Sequence, residues 1–303
     1  MKYLPRKESG QALLLVLLSM SVVLTIVLSI LARSTVDIGV SSRSEESVRA
    51  FSAAEAGIEQ ALVAGPLSGT LANDATFDAK VTDFSSAVTE FVLPSSLYSG
   101  ESATVWFVSH DKTTGDLSCT GSDNPCFRGN KIQVCWGKEG TLANLSTTPA
   151  IEVSIIYLYP LGDYTKAMIA RVVADPHNNS VPRSPVNSFP GSDSGSCDIG
   201  DKSFAFNKII DFGNGGLKLL PASIYQQPNG LQLARISLLY NDYITGIAHP
   251  VGVKVISGGN LPAQGVAINS SGVSGSSTRK VEVIRGFKEL PGIFEMRFLV
   301  RRE

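Results

Sequence analysis

The sequence predicts an α+β protein: one long N-terminal helix, transmembrane in its first half and amphipathic in its second, packed on a large antiparallel β-rich extracytoplasmic head. Three observations predict it. An uncharged apolar run lies near the start, a proline-free stretch with helical periodicity follows, and short alternating or β-branched runs separated by turn residues fill the rest. At 303 residues the chain has room for an anchor and one or two globular domains. Only 17% of residues are charged and the net charge is −1, so composition demands neither nucleic acid nor an anionic membrane surface as a partner.

The 22 residues from Gln11 to Ala32 carry no charge and are dominated by Leu, Val and Ile. As a helix they cross about 30 Å of hydrocarbon. Lys2, Arg6 and Lys7 precede them, and basic flanks stay cytoplasmic, which puts residues beyond Arg33 outside. A cleaved secretory signal has a shorter apolar centre, and the one cut of that kind, after Ala32, has Ile30 where a small residue belongs.

The helix is expected to continue past Arg33. Between Ser34 and Ala64 there is no proline, and Val36, Val40, Val48, Phe51, Ala54, Ile58 and Leu62 recur near the helical period as one apolar packing stripe. Arg43, Glu45, Glu46, Arg49, Glu55 and Glu59 fall mainly on other faces, with Glu45 and Arg49 spaced as a surface pair. Gly65-Pro66 supplies the stop. The chain therefore divides into a leader at 1–10, a helix at 11–64 with 11–32 transmembrane and 33–64 amphipathic, and a head at 65–303.

Strands are expected at Thr76 to Thr82, Ala103 to His110, Lys131 to Trp136, Ile151 to Tyr159, Phe204 to Phe212, Leu231 to Tyr240, Val251 to Ile256, Arg279 to Arg285 and Phe294 to Val300. The segment from Asp175 to Asp201 is poor in large apolar residues, which makes it a long loop or, near 175–203, a boundary between two β subdomains. A second turn-rich stretch runs from Ser257 to Ser277, ahead of a terminal hairpin.

Cys119, Cys126, Cys135 and Cys197 all lie beyond the apolar run, and an even number in an exported domain points to disulfides. Four cysteines permit three pairings. Cys119 and Cys126 bracket a Gly/Asp/Asn/Pro loop that turns back readily, so we expect that pair and Cys135 with Cys197. Zinc lacks its signature, since there is no Cys-x-x-Cys and no histidine beside a cysteine.

No catalytic constellation is evident, and no cofactor is expected. His110, His177 and His249 are widely separated, and the GSDSGS run at Gly191 to Ser196 is not a nucleophile elbow. Asp193, Asp198 and Asp201 lack the regular ligand ladder of a calcium loop. Near the C-terminus Arg279, Lys280, Arg285, Lys288, Arg297, Arg301 and Arg302 alternate with Glu282, Glu289, Glu295 and Glu303, which reads as the solvated face of a sheet rather than a nucleic-acid surface.

Two segments carry a resemblance. Gly10 to Leu18 reads GQALLLVLL after a short basic leader, and Ala50 to Leu62 reads AFSAAEAGIEQAL. Together they resemble the type IV pilin-like superfamily, in particular the PilX-type minor pilins and the K-type minor pseudopilins of type II secretion, over about the first 65 residues. The resemblance implies cleavage by a prepilin peptidase between Gly10 and Gln11. It also implies a single pass through the bacterial cytoplasmic membrane with the head outside, and assembly with other pilin subunits on a pilus assembly platform into a filament at the cell surface. Major pilins carry a Glu five residues into the mature chain, whereas this sequence has Leu15, and the relatives that share the absence are minor subunits. The rival expectation is an uncleaved, single-pass surface binding module or adhesin.

Overall fold

The computed structural model describes residues 9–112, 114–121, 124–179, 183, 187–213, 215–241 and 247–289. Most of the leader and the expected strand at Phe294 to Val300 lie outside them. Helix α1 (Ser9–Ala64) runs without a break. It ends where expected: Gly65 adopts φ +83°, its N–H reaches the Ala61 carbonyl at 3.0 Å, and Pro66 follows. The strands are β1 (Leu67–Thr70), β2 (Thr76–Phe84), β3 (Glu90–Val92), β4 (Ser102–Trp106), β5 (Ser109–His110), β6 (Leu117–Ser118), β7 (Lys131–Lys138), β8 (Ala150–Leu158), β9 (Ala167–Ala174), β10 (Cys197–Ile199), β11 (Lys202–Asp211), β12 (Leu231–Leu239), β13 (Val251–Ser257), β14 (Gly265–Ser274) and β15 (Ser277–Gly286).

These elements form two compact units, one within Met1–Val81 and Ile268–Val283, the other within Thr82–Ala267 and Ile284–Glu303. The division expected near 175–203 is not where the chain parts. That segment is held inside the second unit by a disulfide and a buried ion pair described below. The first unit holds α1 and most of a sheet of order β1-β2-β14-β15. Its strand β14 lies within the stretch expected to be turn-rich. Glycines and serines from Gly265 to Ser274 mark a strand against which a helix packs closely, and irregular or turn backbone is left at 258–264 and at Gly275-Ser276.

The second unit contains a five-stranded sheet, β10-β11-β7-β13-β3, and a four-stranded sheet, β4-β12-β8-β9, with antiparallel pairing throughout, besides the short β5-β6 ribbon. One apolar core lies between the two larger sheets. Ile132, Val134 and Trp136 of β7 point into it from one side, and Ile151, Val153 and Ile155 of β8 from the other, all fully buried. The indole N–H of Trp136 donates to the Pro149 carbonyl at 2.8 Å, so the largest core side chain leaves no polar atom unpaired. The run Ala103 to His110 does not form one strand. Phe107 and Val108 break it, and Phe107 turns inward to meet Phe127 and Phe212 with ring centroids 5.3 and 5.9 Å away.

Candidate functional site

The surface that distinguishes this molecule is the bare part of α1. Every residue from Gln11 to Glu45 is exposed, including the Leu, Val and Ile side chains from Leu13 to Leu31. An apolar surface of this size is unusual on a soluble monomer and marks a place for lipid or for other apolar helices. The helix is long and apolar enough to cross a membrane. Gly10 and Gln11, flanking the expected cleavage point, lie in its first turns. Ser19, Ser21 and Thr25 bond back to carbonyls of the preceding turn at 2.8–2.9 Å, which keeps their hydroxyls satisfied without water.

Farther along, α1 is seated on the β1-β2-β14-β15 sheet, and the seat corrects the expected stripe. Ala54 and Ile58 are buried as expected, but Val36, Val40 and Val48 are each more than 60% exposed, Phe51 is 45% exposed and Leu62 is 37% exposed. The buried face is Ala50, Ala53, Ala54, Gly57, Ile58 and Ala61, spaced by three and four. Small residues form it because the backbones approach so closely. A Cβ at Gly272 would stand 2.0 Å from the Ala50 carbonyl oxygen, and one at Gly57 would stand 2.8 Å from the Phe77 ring. Where Gly272 meets Ala50 and Ala54, backbone against backbone, there is no room for a β-branched side chain. Val36 and Val40 also precede the beginning of the seat, which is Glu46, where the carboxylate accepts from the backbone N–H and the hydroxyl of Ser276 at 3.0 Å each. Arg279 donates to the Ser47 hydroxyl beside it at 2.6 and 2.8 Å. Glu45 and Arg49 pair as their spacing predicts, on an exposed face where such a pair contributes little.

Two disulfides join the four cysteines, Cys119 with Cys126 and Cys135 with Cys197. The first closes a short loop. The second ties β7 to β10 over a separation of 62 residues and is covered by Ile199 and Phe204.

The loop after β9 is anchored by a group that the sequence reading missed. Asp175 is fully buried and takes the Arg183 guanidinium in a two-pronged contact, Nε to Oδ2 at 2.8 Å and Nη2 to Oδ1 at 3.1 Å. Arg183 also donates to the Ser146 and Thr148 carbonyls at 2.6 and 2.8 Å and stacks over Tyr240 at 4.4 Å. Burial pushes the Asp175 carboxyl up. Hydrogen bonds from Arg183 and Asn187, the Arg183 charge and the His177 backbone N–H outweigh it and hold the group below the usual carboxylate range. Asp and Arg among Ser, Pro and Asn gave no local signal of burial.

The titratable candidates do not converge. His110 lies edge-on to Trp106 and stacked on Phe287, and burial lowers its pKa to about 4. His249 is lowered by burial and by Lys138, whose backbone N–H donates to Nδ1 at 3.1 Å. His177 belongs to the turn after β9. Asp193 binds Lys208 and the Ile209 N–H, and Asp198 binds Ser203. Among the described residues no cluster of three or more His, Cys, Asp and Glu side chains is arranged to hold a metal ion.

Fold and surface together define an α+β protein with one membrane-length N-terminal helix and a disulfide-linked antiparallel β head. Comparison of the chain with protein-family models, with curated proteins and with solved structures finds no match.

Proposed function

We propose that the chain is a minor type IV pilin-like subunit, of the PilX or K-type kind, which is cleaved between Gly10 and Gln11 and assembled into or at the tip of an extracellular filament. Its partners are a prepilin peptidase, other pilin subunits, an assembly platform and, before assembly, the lipid of the bacterial cytoplasmic membrane around 11–32. Its role is structural rather than catalytic. The observation that carries the reading is one continuous helix whose inner part is bare and apolar while its Ala50 to Leu62 segment, AFSAAEAGIEQAL, seats a β head through small residues. Extraction of such a helix from lipid into a bundle of like helices keeps its apolar surface covered.

Leu15 supports the minor role. A subunit amine buried among apolar helices needs an anion nearby, and no acidic residue lies between Gln11 and Arg33. Intact mass of the chain recovered from membranes tests the reading. A mature N-terminus at Gln11, lost when Gly10→Leu is introduced, is the expected result, whereas a wild-type chain that retains Met1 to Gly10 would leave the uncleaved surface module in its place.

A further inference from the structure

Most sheet edges among the described strands are shielded. β1, β3 and β10 have four residues or fewer, and β15 carries Arg279, Lys280, Glu282 and Arg285. The edge of β4 is closed at Trp106 by the Gln264 side chain, which accepts from the Trp106 N–H at 2.8 Å and donates to its carbonyl at 3.0 Å. Among the described residues β9 has none of these devices. It is eight residues long, lies at the end of the β4-β12-β8-β9 sheet, and has Arg171 as its one charged residue. Its opening stretch is apolar and uncovered: Ile169 is 56% exposed, and Met168, on the core-facing side, is 38% exposed. Tyr159, Leu161 and Tyr164 are exposed just before it.

We propose that β9 is a docking edge for an extended segment of another protein, one with apolar residues in alternation and an acidic residue set against Arg171. A strand is the fitting occupant because the free side of an edge strand offers a row of backbone groups that an extended chain satisfies. The pattern such a segment needs is written in β8, the strand that already pairs with β9. Val153, Ile155 and Tyr157 of β8 oppose Val172, Ala170 and Met168 on the core side. Glu152, Ser154 and Ile156 oppose Val173, Arg171 and Ile169 on the other, with Glu152 3.7 Å from Arg171. In antiparallel pairing opposed residues share a face, so a strand added on the free side of β9 meets the same two faces. Charge selects a foreign segment over a second copy of β9. The Arg171 side chain remains 56% exposed, and another β9 would add a further Arg171 and no acid.

The full chain in detergent micelles, with empty micelles as the blank, is titrated with the synthetic peptide Val-Glu-Val-Thr-Val-Thr-Tyr, patterned on β8. Hydrogen exchange at Ala167 to Arg171 should slow about tenfold or more, while β3 and β10 stay unchanged. Ile169→Lys should weaken binding at least tenfold, and a peptide with Lys in place of Glu should bind about fivefold more weakly. If Ile169→Lys disturbs exchange in β8 or β12, the peptide charge change decides alone. No slowing at 167–171, or equal binding of the Glu and Lys peptides, overturns the proposal. So does slowing that rises with protein concentration without peptide, which assigns the edge to a second copy. Amides already slow in the free chain and released by deleting residues 290–303 would assign it to the chain itself, with the same consequence.

Discussion

Gly272→Ala tests the seat of α1 directly. The added Cβ would stand 2.0 Å from the Ala50 carbonyl oxygen and 2.5 Å from the Ala54 nitrogen. Both obstacles are backbone, so no rotamer relieves them, and helix and strand must separate by roughly 1 Å to restore ordinary contact. Overpacking of this kind costs about 1–3 kcal/mol, and the upper end applies where backbone meets backbone. Alanine is otherwise preferred to glycine in a strand, so intrinsic propensity pushes the other way and the sign is diagnostic. Gly39→Ala makes the same chemical change on the bare part of α1, where a Cβ meets nothing within 4 Å, and there it should stabilise the helix by up to about 1 kcal/mol. The assay is hydrogen exchange in β14. A loss of about 3 kcal/mol makes those amides exchange about 100-fold faster in Gly272→Ala. Exchange within about threefold of the wild type would refute the reasoning, because a helix resting on Ala50 and Ala54 cannot absorb the methyl at so little cost.

Asp175→Asn leaves the Arg183 guanidinium buried without its counter-charge and should cost about 3–5 kcal/mol in thermal unfolding; a loss under about 1 kcal/mol would mean that the pair does not anchor the loop. The Asp175 carboxyl titrates below its ordinary range in the folded chain, so its contribution is complete above the unfolded value near pH 4 and disappears as pH falls through the lower folded value. Acid unfolding of Asp175→Asn should lack that component. Removing Cys135–Cys197 should destabilise by about 4 kcal/mol and removing Cys119–Cys126 by about 2, because the first closes the far longer loop; equal losses would contradict the loop-length account. In sheared filaments, quantitative mass spectrometry should find the chain at a small fraction of the most abundant subunit, and parity would remove the minor role.

The helix was legible because an uncharged apolar run over Gln11 to Ala32 and a proline-free stretch with helical periodicity over Ser34 to Ala64 leave few alternatives. Strands with large apolar residues, such as β7, β8 and β12, were equally plain. Two kinds of feature escaped. β14, with three serines and two glycines, resembles a turn until its small residues are seen facing a helix backbone. The seat on α1 escaped for the matching reason: hydrophobicity picks out Val36, Val40 and Val48, while close approach selects Ala50, Ala53 and Gly57. The preferred cysteine pairing agrees with the structure because the loop between Cys119 and Cys126 is rich in turn residues. The anchoring of 175–190 depends on a partner, the Ser146 and Thr148 carbonyls, more than 30 residues away, and no local pattern encodes that.

The gap between the end of the uncharged run and the first hairpin contact also sets what the head can feel. From Arg33 to Glu45 there are 13 helical residues with no buried side chain, which is about 20 Å of rise. With 11–32 in a bilayer, as proposed, the turn between β14 and β15 is carried more than two screening lengths of physiological salt, each about 8 Å, from the hydrocarbon boundary. Headgroups reach about 6 Å past that boundary, which leaves the cations of β15 more than one screening length from them, so a change in the anionic lipid content of the membrane reaches the hairpin only weakly.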